Sequence, residues 1–269
     1  MAEQGHSVDV GITGLGNLDR RGQHHLCPDR SVYMISLETS VNSSNEMNGT
    51  KLFVPYAGVA HCIVCPARTE RGVLSLYLVE PGRAGVSIEP LDIMGTEKQY
   101  EVRLEGAPVS VDDVLGKENR GREILIKVLN KMAVAKCAEI VGGLQSVLYM
   151  TVDYARQREQ SGRLIGGFQA IQHYCADMLR DVEGSRFITY KAAWEIGEGL
   201  PSSTTAAIAK AWVSDAYQRT VLRAHQIFGG IGFCREHPLH HRLKHSKLGE
   251  LAFGDAAFHL ERVAAALGL

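Results

Sequence analysis

The sequence has no apolar run approaching the ~18 residues that a membrane-spanning helix needs, so no span is expected. It has no excess of charge of either sign. Lys and Arg number 29 against 30 Asp and Glu, for a formal net charge of −1. That balance leaves no basic stripe for a generic nucleic-acid surface. The start, Met1 to Ser7, lacks both a basic cap and an apolar segment, so it does not read as a secretory signal. No internal repeat is visible, and Gly-x-Ser-x-Gly elbows and Walker loops are missing, which removes support for a serine hydrolase or a P-loop enzyme. Cysteines are few and scattered: Cys27, Cys62, Cys65, Cys137, Cys175 and Cys234. That spread points to a reduced, cytoplasmic protein rather than a disulfide scaffold.

Hydrophobic residues make up 45% of the 269, enough for a large core. Two periodicities divide the chain. Residues 1–35 carry Gly11, Gly14, Gly16 and Gly22 with little period and read as loop. Over 36–116 the signal is β: Leu74, Leu76 and Leu78 fall on one strand face, Ser75 and Tyr77 on the other. Lys51–Tyr56, Cys62–Cys65 and Gln99–Glu105 are similar runs, punctuated by Pro81-Gly82, Gly85, Gly95 and Gly106. After the polar stretch Leu115–Asn119 the period becomes helical over 117–269. Phe168, Ile171, Cys175, Met178 and Val182 form one buried stripe. Helices are predicted over about 122–158, 165–197, 202–228 and 239–267. Pro201-Ser202-Ser203 marks a helix start and Gly229-Gly230 a helix end. The predicted fold is α+β: a small antiparallel β domain, then an antiparallel four-helix bundle.

Three motifs carry little. Gly11-Ile-Thr-Gly-Leu-Gly16 lacks the strand before and the helix after that a dinucleotide loop requires. Cys62 and Cys65 are three apart in a strand, so they face opposite ways and cannot share one zinc. His237, His240, His241 and His245 sit among Arg242, Lys244 and Lys247, which favours a solvated basic helix face. No metal is expected.

Two segments carry more. The first runs from Tyr154 to Gln169 and includes Arg158, Ser161, Gly162, Ile165 and Phe168. The second is Gln226-Ile-Phe-Gly229-Gly230-Ile-Gly232-Phe233, beginning 57 residues after Gln169. Each closes a helix in glycines, where backbone groups are free to meet a ligand. Arg158 offers a fork of donors for a diphosphate, and Gln226 an amide that both donates and accepts.

Together these motifs resemble the acyl-CoA dehydrogenases. Asn48-Gly49-Thr50-Lys51-Leu52-Phe53-Val54-Pro55 resembles the family's β-domain entry, and the likeness covers about Leu37 to Leu269. The resemblance implies FAD held at dimer interfaces, usually within tetramers, and oxidation of acyl-CoA thioesters between Cα and Cβ. It also implies a carboxylate base and electron-transferring flavoprotein as acceptor. By position, Arg158, Gln226, Gly229 and Gly230 would grip the adenosine diphosphate end of the neighbouring subunit's FAD, and Gln169 is a further cofactor-binding candidate. Phe53, Val54 and Pro55 match the stretch that lies against a chain's own flavin.

The likeness has gaps. Residues 1–35 match no N-terminal helical domain, and nothing before Ser36 resembles the family's flavin loop. Ser161 stands where the motif has phenylalanine. The usual base, 27 residues after the motif glutamine, falls on Phe253; the minority position, 26 before the motif arginine, falls on Met132. Neither can abstract a proton. Glu250, one turn from Phe253, and Asp255 are the weak substitutes. Three readings are open: an FAD-completing subunit of a heteromeric dehydrogenase that lacks its own base, an active dehydrogenase with a displaced base, and a redox-silent scaffold.

Overall fold

The computed structural model describes residues 9–10, 39–70, 72–95, 97–117 and 120–269. Gly11–Gly16, Cys27 and the stretch before Ser36 that a flavin loop would occupy lie outside them, except for Asp9 and Val10. The chain forms two compact units, divided between Leu129 and Asn130.

The first unit is a seven-stranded sheet. Its strands are β1 (Asp9–Val10), β2 (Ser40–Val41), β3 (Glu46–Pro55), β4 (Ile63–Thr69), β5 (Leu74–Val79), β6 (Val86–Leu91) and β7 (Gln99–Pro108), ordered β5-β4-β2-β3-β7-β6 with β1 beside β3. The long pairings, β3–β7, β4–β5 and β6–β7, are antiparallel. Only the two-residue pairings β1–β3 and β2–β4 are parallel, so the sheet is mixed at its short strands. Met47, Cys65, Val79, Val102 and Leu104 make its core. Leu76, on the leucine face of β5, and Ser75, Tyr77 and Val79 on the other are all buried. One cover is the start of the first helix: a Cβ on Gly121 would lie 2.8 Å from the Leu74 carbonyl. Cys65 is buried in β4, whereas Cys62 lies just before that strand, not within it as expected, and is exposed.

Two features shape this unit locally. Arg83 grips both carboxylate oxygens of Asp113 at 2.8 Å and donates to the Pro108 carbonyl at 3.0 Å. The Arg83 hydrogen bonds, with lesser help from Ser110, hold the Asp113 carboxyl far below its ordinary range. A bulge between Lys51 and Val54 interrupts the β3–β7 register, and Phe53 there takes φ +57°.

The second unit contains most of α1 (Gly121–Gln157), then α2 (Gln169–Gly197), α3 (Ser203–Phe228), α4 (Pro238–Leu251) and α5 (Ala256–Ala266). Cys137, Ile140 and Leu144 of α1, Met178 and Val182 of α2, Val213 and Tyr217 of α3, and Leu239 of α4 share one core. Phe168, Ile171 and Cys175 pack against it, so the predicted stripe is the buried one.

Three boundaries differ from expectation. A miniature hairpin, β8 (Glu159–Gln160) with β9 (Arg163–Leu164), follows α1, and Ile165–Gly167 is a 3₁₀ turn rather than the start of α2. The predicted fourth helix is broken between Leu251 and Ala256. Phe253 (φ +59°) and Gly254 (φ +97°) leave the right-handed region, and Asp255 caps α5 by accepting from the Phe258 N–H at 2.8 Å. Among the described residues no helix is long and apolar enough to cross a membrane.

Candidate cofactor site

The two informative segments, more than fifty residues apart, meet at one end of the bundle. Tyr154 in the last turn of α1 stacks on Phe228 at the end of α3, with ring centroids 4.3 Å apart and planes at 21°.

The α1 end closes on itself. The Arg158 N–H donates to the Tyr154 carbonyl at 2.9 Å, and the Arg158 carbonyl accepts from the Ile165 N–H at 2.8 Å. Ser161 (φ +54°) and Gly162 (φ +77°) form the two-residue turn between β8 and β9, the left-handed pair that a tight hairpin favours. A Cβ on Gly166 would lie 2.9 Å from the Ala155 carbonyl, so glycine lets the turn lie directly on α1. Arg163 stacks over Phe168 at 4.0 Å.

That framework leaves the Arg158 guanidinium exposed, with no hydrogen bond or ion pair among the described residues. The Gln169 and Gln226 amides are likewise exposed and unpaired among them. Gly229 ends α3 at φ +64°, its N–H donating to the His225 carbonyl. Among the described residues, chain neighbours apart, no atom lies within 4 Å of where a Cβ would stand on Gly229 or Gly230. A free guanidinium, two amides and a bare glycine turn are the donor set and smooth surface that a diphosphate takes. These residues therefore fit the adenosine diphosphate end of FAD. Phe53, Val54 and Pro55 sit at the β3 bulge of the other unit, Phe53 exposed and its neighbours half-buried.

The catalytic candidates are otherwise engaged. Glu250 accepts from Gln218 at 3.0 Å and from Lys247 at 2.8 Å. Asp255 spends one oxygen on the α5 cap. Phe253 is buried in the α4–α5 break, and Met132 is half-buried in α1.

Some functional-looking groups escaped the sequence reading. Lys210 is 0% exposed; its ammonium donates to Ser214 Oγ, the Glu250 carbonyl and the Gly254 carbonyl at 2.9, 2.9 and 2.8 Å. Burial pulls its pKa down to about 8. His259 hydrogen-bonds the Phe253 carbonyl at 2.9 Å, and burial lowers its pKa to about 4. The available signal was a lone lysine among Ala206, Ala207, Ala209 and Ala211, in helical phase with Val213 and Tyr217. The histidine patch is also less solvated than expected. His237 caps α4, accepting from the Leu239 N–H, while His245 joins Glu139 at 2.6 Å to the buried Tyr217 hydroxyl at 3.1 Å.

The chain is similar to known proteins in sequence and in fold. The family model for the acyl-CoA dehydrogenase C-terminal domain matches residues 119–268. The short-chain-specific acyl-CoA dehydrogenase of Megasphaera elsdenii is 31% identical over 215 residues, 77% of this chain and 56% of that protein. The butyryl-CoA dehydrogenase structure from the same organism superposes with a TM-score of 0.84 at 28% identity, covering 95% of this chain and 67% of that one. The ChsE4–ChsE5 complex from Mycobacterium tuberculosis gives 0.81 at 28% identity, covering 96% and 65%. The chain thus spans little more than half the length of the curated relative. With the domain model matched over more than half its residues, and the motif arginine and glycine turn brought to one bundle end, this chain belongs to the acyl-CoA dehydrogenases, a family of FAD-dependent flavoproteins.

Proposed function

We propose that this chain completes an FAD site in a heteromeric acyl-CoA dehydrogenase and supplies no general base of its own. The carrying observation is an asymmetry within the described residues. Arg158, Gln169, Gln226, Gly229 and Gly230 stand free at one bundle end, while the position of the usual base holds the buried, apolar Phe253. FAD, when bound, supplies the hydride acceptor for α,β-oxidation of an acyl-CoA thioester. Arg158 would neutralise and orient its diphosphate. Gln169 and Gln226 would hold its polar groups, and the glycine turn would let it approach the backbone. Phe53, Val54 and Pro55 are assigned to the flavin side on family likeness alone.

A related chain bearing the glutamate would remove the Cα proton, and electron-transferring flavoprotein would take the electrons. The protein is assigned to the cytoplasm, in keeping with its five described cysteines being free thiols. The ChsE4–ChsE5 structure is itself described as a complex. Assembly would use the bundle. Phe187, Tyr190 and Trp194 lie three and four residues apart on α2, 68%, 65% and 59% exposed, and Ile208 and Trp212 of α3 are exposed as well. An apolar helix face of that kind is a surface for a partner or a second copy.

The competing reading, an active dehydrogenase using Glu250, meets a carboxylate already held by Lys247 and Gln218. The test is anaerobic flavin bleaching by a panel of acyl-CoAs. The heteromer with a glutamate-bearing partner should be yellow and bleach; this chain alone should not. Rapid bleaching by this chain alone overturns the proposal, and Glu250→Gln is then the first variant to make. A colourless heteromer would leave the scaffold reading.

A further inference from the structure

The glycine turn rests on a buried ionisable group. His225 lies in the last turn of α3, next to Gln226, and is 4% exposed. Among the described residues neither ring nitrogen has a hydrogen-bond partner. A neutral imidazole holds one N–H donor and one acceptor lone pair, and burying both unsatisfied costs free energy, so the arrangement calls for an explanation. The ring serves as a platform. Phe233, at the far end of the Gly229–Phe233 turn, stacks on it with centroids 4.5 Å apart at 29°. A Cβ on Gly232 would lie 3.1 Å from His225 Nδ1 and 3.2 Å from Leu239, so the turn's backbone is seated on the ring. The near end is tied to the same residue, because the Gly229 N–H donates to the His225 carbonyl. One residue thus supports the turn at both ends, by its carbonyl and by its ring.

We infer that His225 is the positioning residue of the Gly229–Gly230 cradle, and that protonating its ring lifts the turn and loosens its hold on a dinucleotide diphosphate. This rests on the assignment of that turn to the diphosphate. The titratable neighbours acting on His225 come from α4: His237 at its N-cap and His240 in its first turn. No carboxylate is among them. A proton on His225 would therefore be a buried charge with no carboxylate among the groups acting on it, beside two histidines that repel it once they are protonated. Burial first, then those two histidines, hold its pKa below the ordinary 6.5. The closed turn consequently binds fewer protons than the open one. Closure is complete above about pH 6.5 and weakens as the pH falls below it.

The test is amide exchange of the chain without cofactor, expressed as protection relative to unstructured peptide at the same pH. Between about pH 7.5 and about pH 5.5, one histidine kept neutral by closure raises the open fraction by up to about tenfold. Amides from Gly229 to Phe233 should lose protection by as much as that factor in the wild type, while the α2 core around Met178 and Val182 stays unchanged. His225→Phe keeps a flat ring under Phe233 but cannot titrate. Protection of Gly229–Phe233 in it, and in His225→Leu, should stay within about twofold over the same range, because no side chain from residue 225 to Phe233 then takes a proton. Flat protection in the wild type overturns the proposal, as does an equal acid loss in both variants. A second arm measures FAD retained by the heteromer after gel filtration at the two pH values. Acid-dependent loss in the wild type but not in the variants supports the inference. Acid opening of the turn with unchanged FAD retention overturns the diphosphate assignment while leaving the proton sensitivity of the turn established.

Discussion

Arg158 and Lys210 show two opposite uses of a cation in one bundle. Arg158 is held by its backbone at the mouth of a hairpin with its guanidinium free. Replacing it with alanine leaves the hairpin hydrogen bonds in place and removes only the donors. Arg158→Ala in the heteromer should weaken FAD binding by roughly 1.5–3 kcal/mol, the worth of a hydrogen bond to a charged group, read as FAD content or by titration. Unchanged FAD content would remove Arg158 from the site. Lys210 is the reverse case, a charge sealed inside and satisfied by two carbonyls and a hydroxyl. Its pKa is about 8 in the fold against 10.5 in the unfolded chain, so over that interval the unfolded chain binds more protons. Stability therefore rises with pH across the interval, by up to ~3 kcal/mol from this group. Denaturant titrations at the two ends of that range should show the rise in the wild type and lose it in Lys210→Met.

At the scale of an element, the α4–α5 break is the most informative departure from helical periodicity. The spacing of apolar residues continues from Leu239 to Leu267, yet the helix stops because three side chains reward stopping. Lys210 binds the carbonyls of Glu250 and Gly254, His259 binds that of Phe253, and Asp255 caps α5. Gly254 is required twice over. Its φ is +97°, and a Cβ there would lie 2.4 Å from the Phe258 ring. Gly254→Ala should destabilise the bundle by more than the ~1 kcal/mol of a helix-interior Gly–Ala difference; calorimetry of the two proteins checks this. His259, neutral in the fold with a pKa near 4, adds an acid dependence. Its stabilising neutrality is complete above about pH 6.5 and is lost as the pH falls toward 4.

At the scale of the whole molecule, the exposed aromatic stripe Phe187–Tyr190–Trp194 should direct assembly. Sedimentation at micromolar concentration should show a dimer or tetramer, and Trp194→Lys should shift it toward monomer by setting a charge in an apolar contact. A monodisperse wild-type monomer would contradict the bundle-mediated assembly.

The sequence alone determined the order of the parts, because period two and period 3.6 are local properties of the chain. Strands came before helices, the stripe from Phe168 to Val182 faced inward, and Gly229 ended α3. The arginine and the glycine turn were legible for the same reason: helix ends and their glycines are written in short runs of residues. Tertiary structure decided what those residues meet. That Tyr154 stacks on Phe228 and that Lys210 reaches the carbonyls of Glu250 and Gly254 both depend on segments far apart in the chain. So do the break at Phe253 and the burial of both faces of β5. A long apolar period promises a helix, but only the surrounding side chains decide whether its carbonyls are better satisfied by the next turn or by a buried lysine.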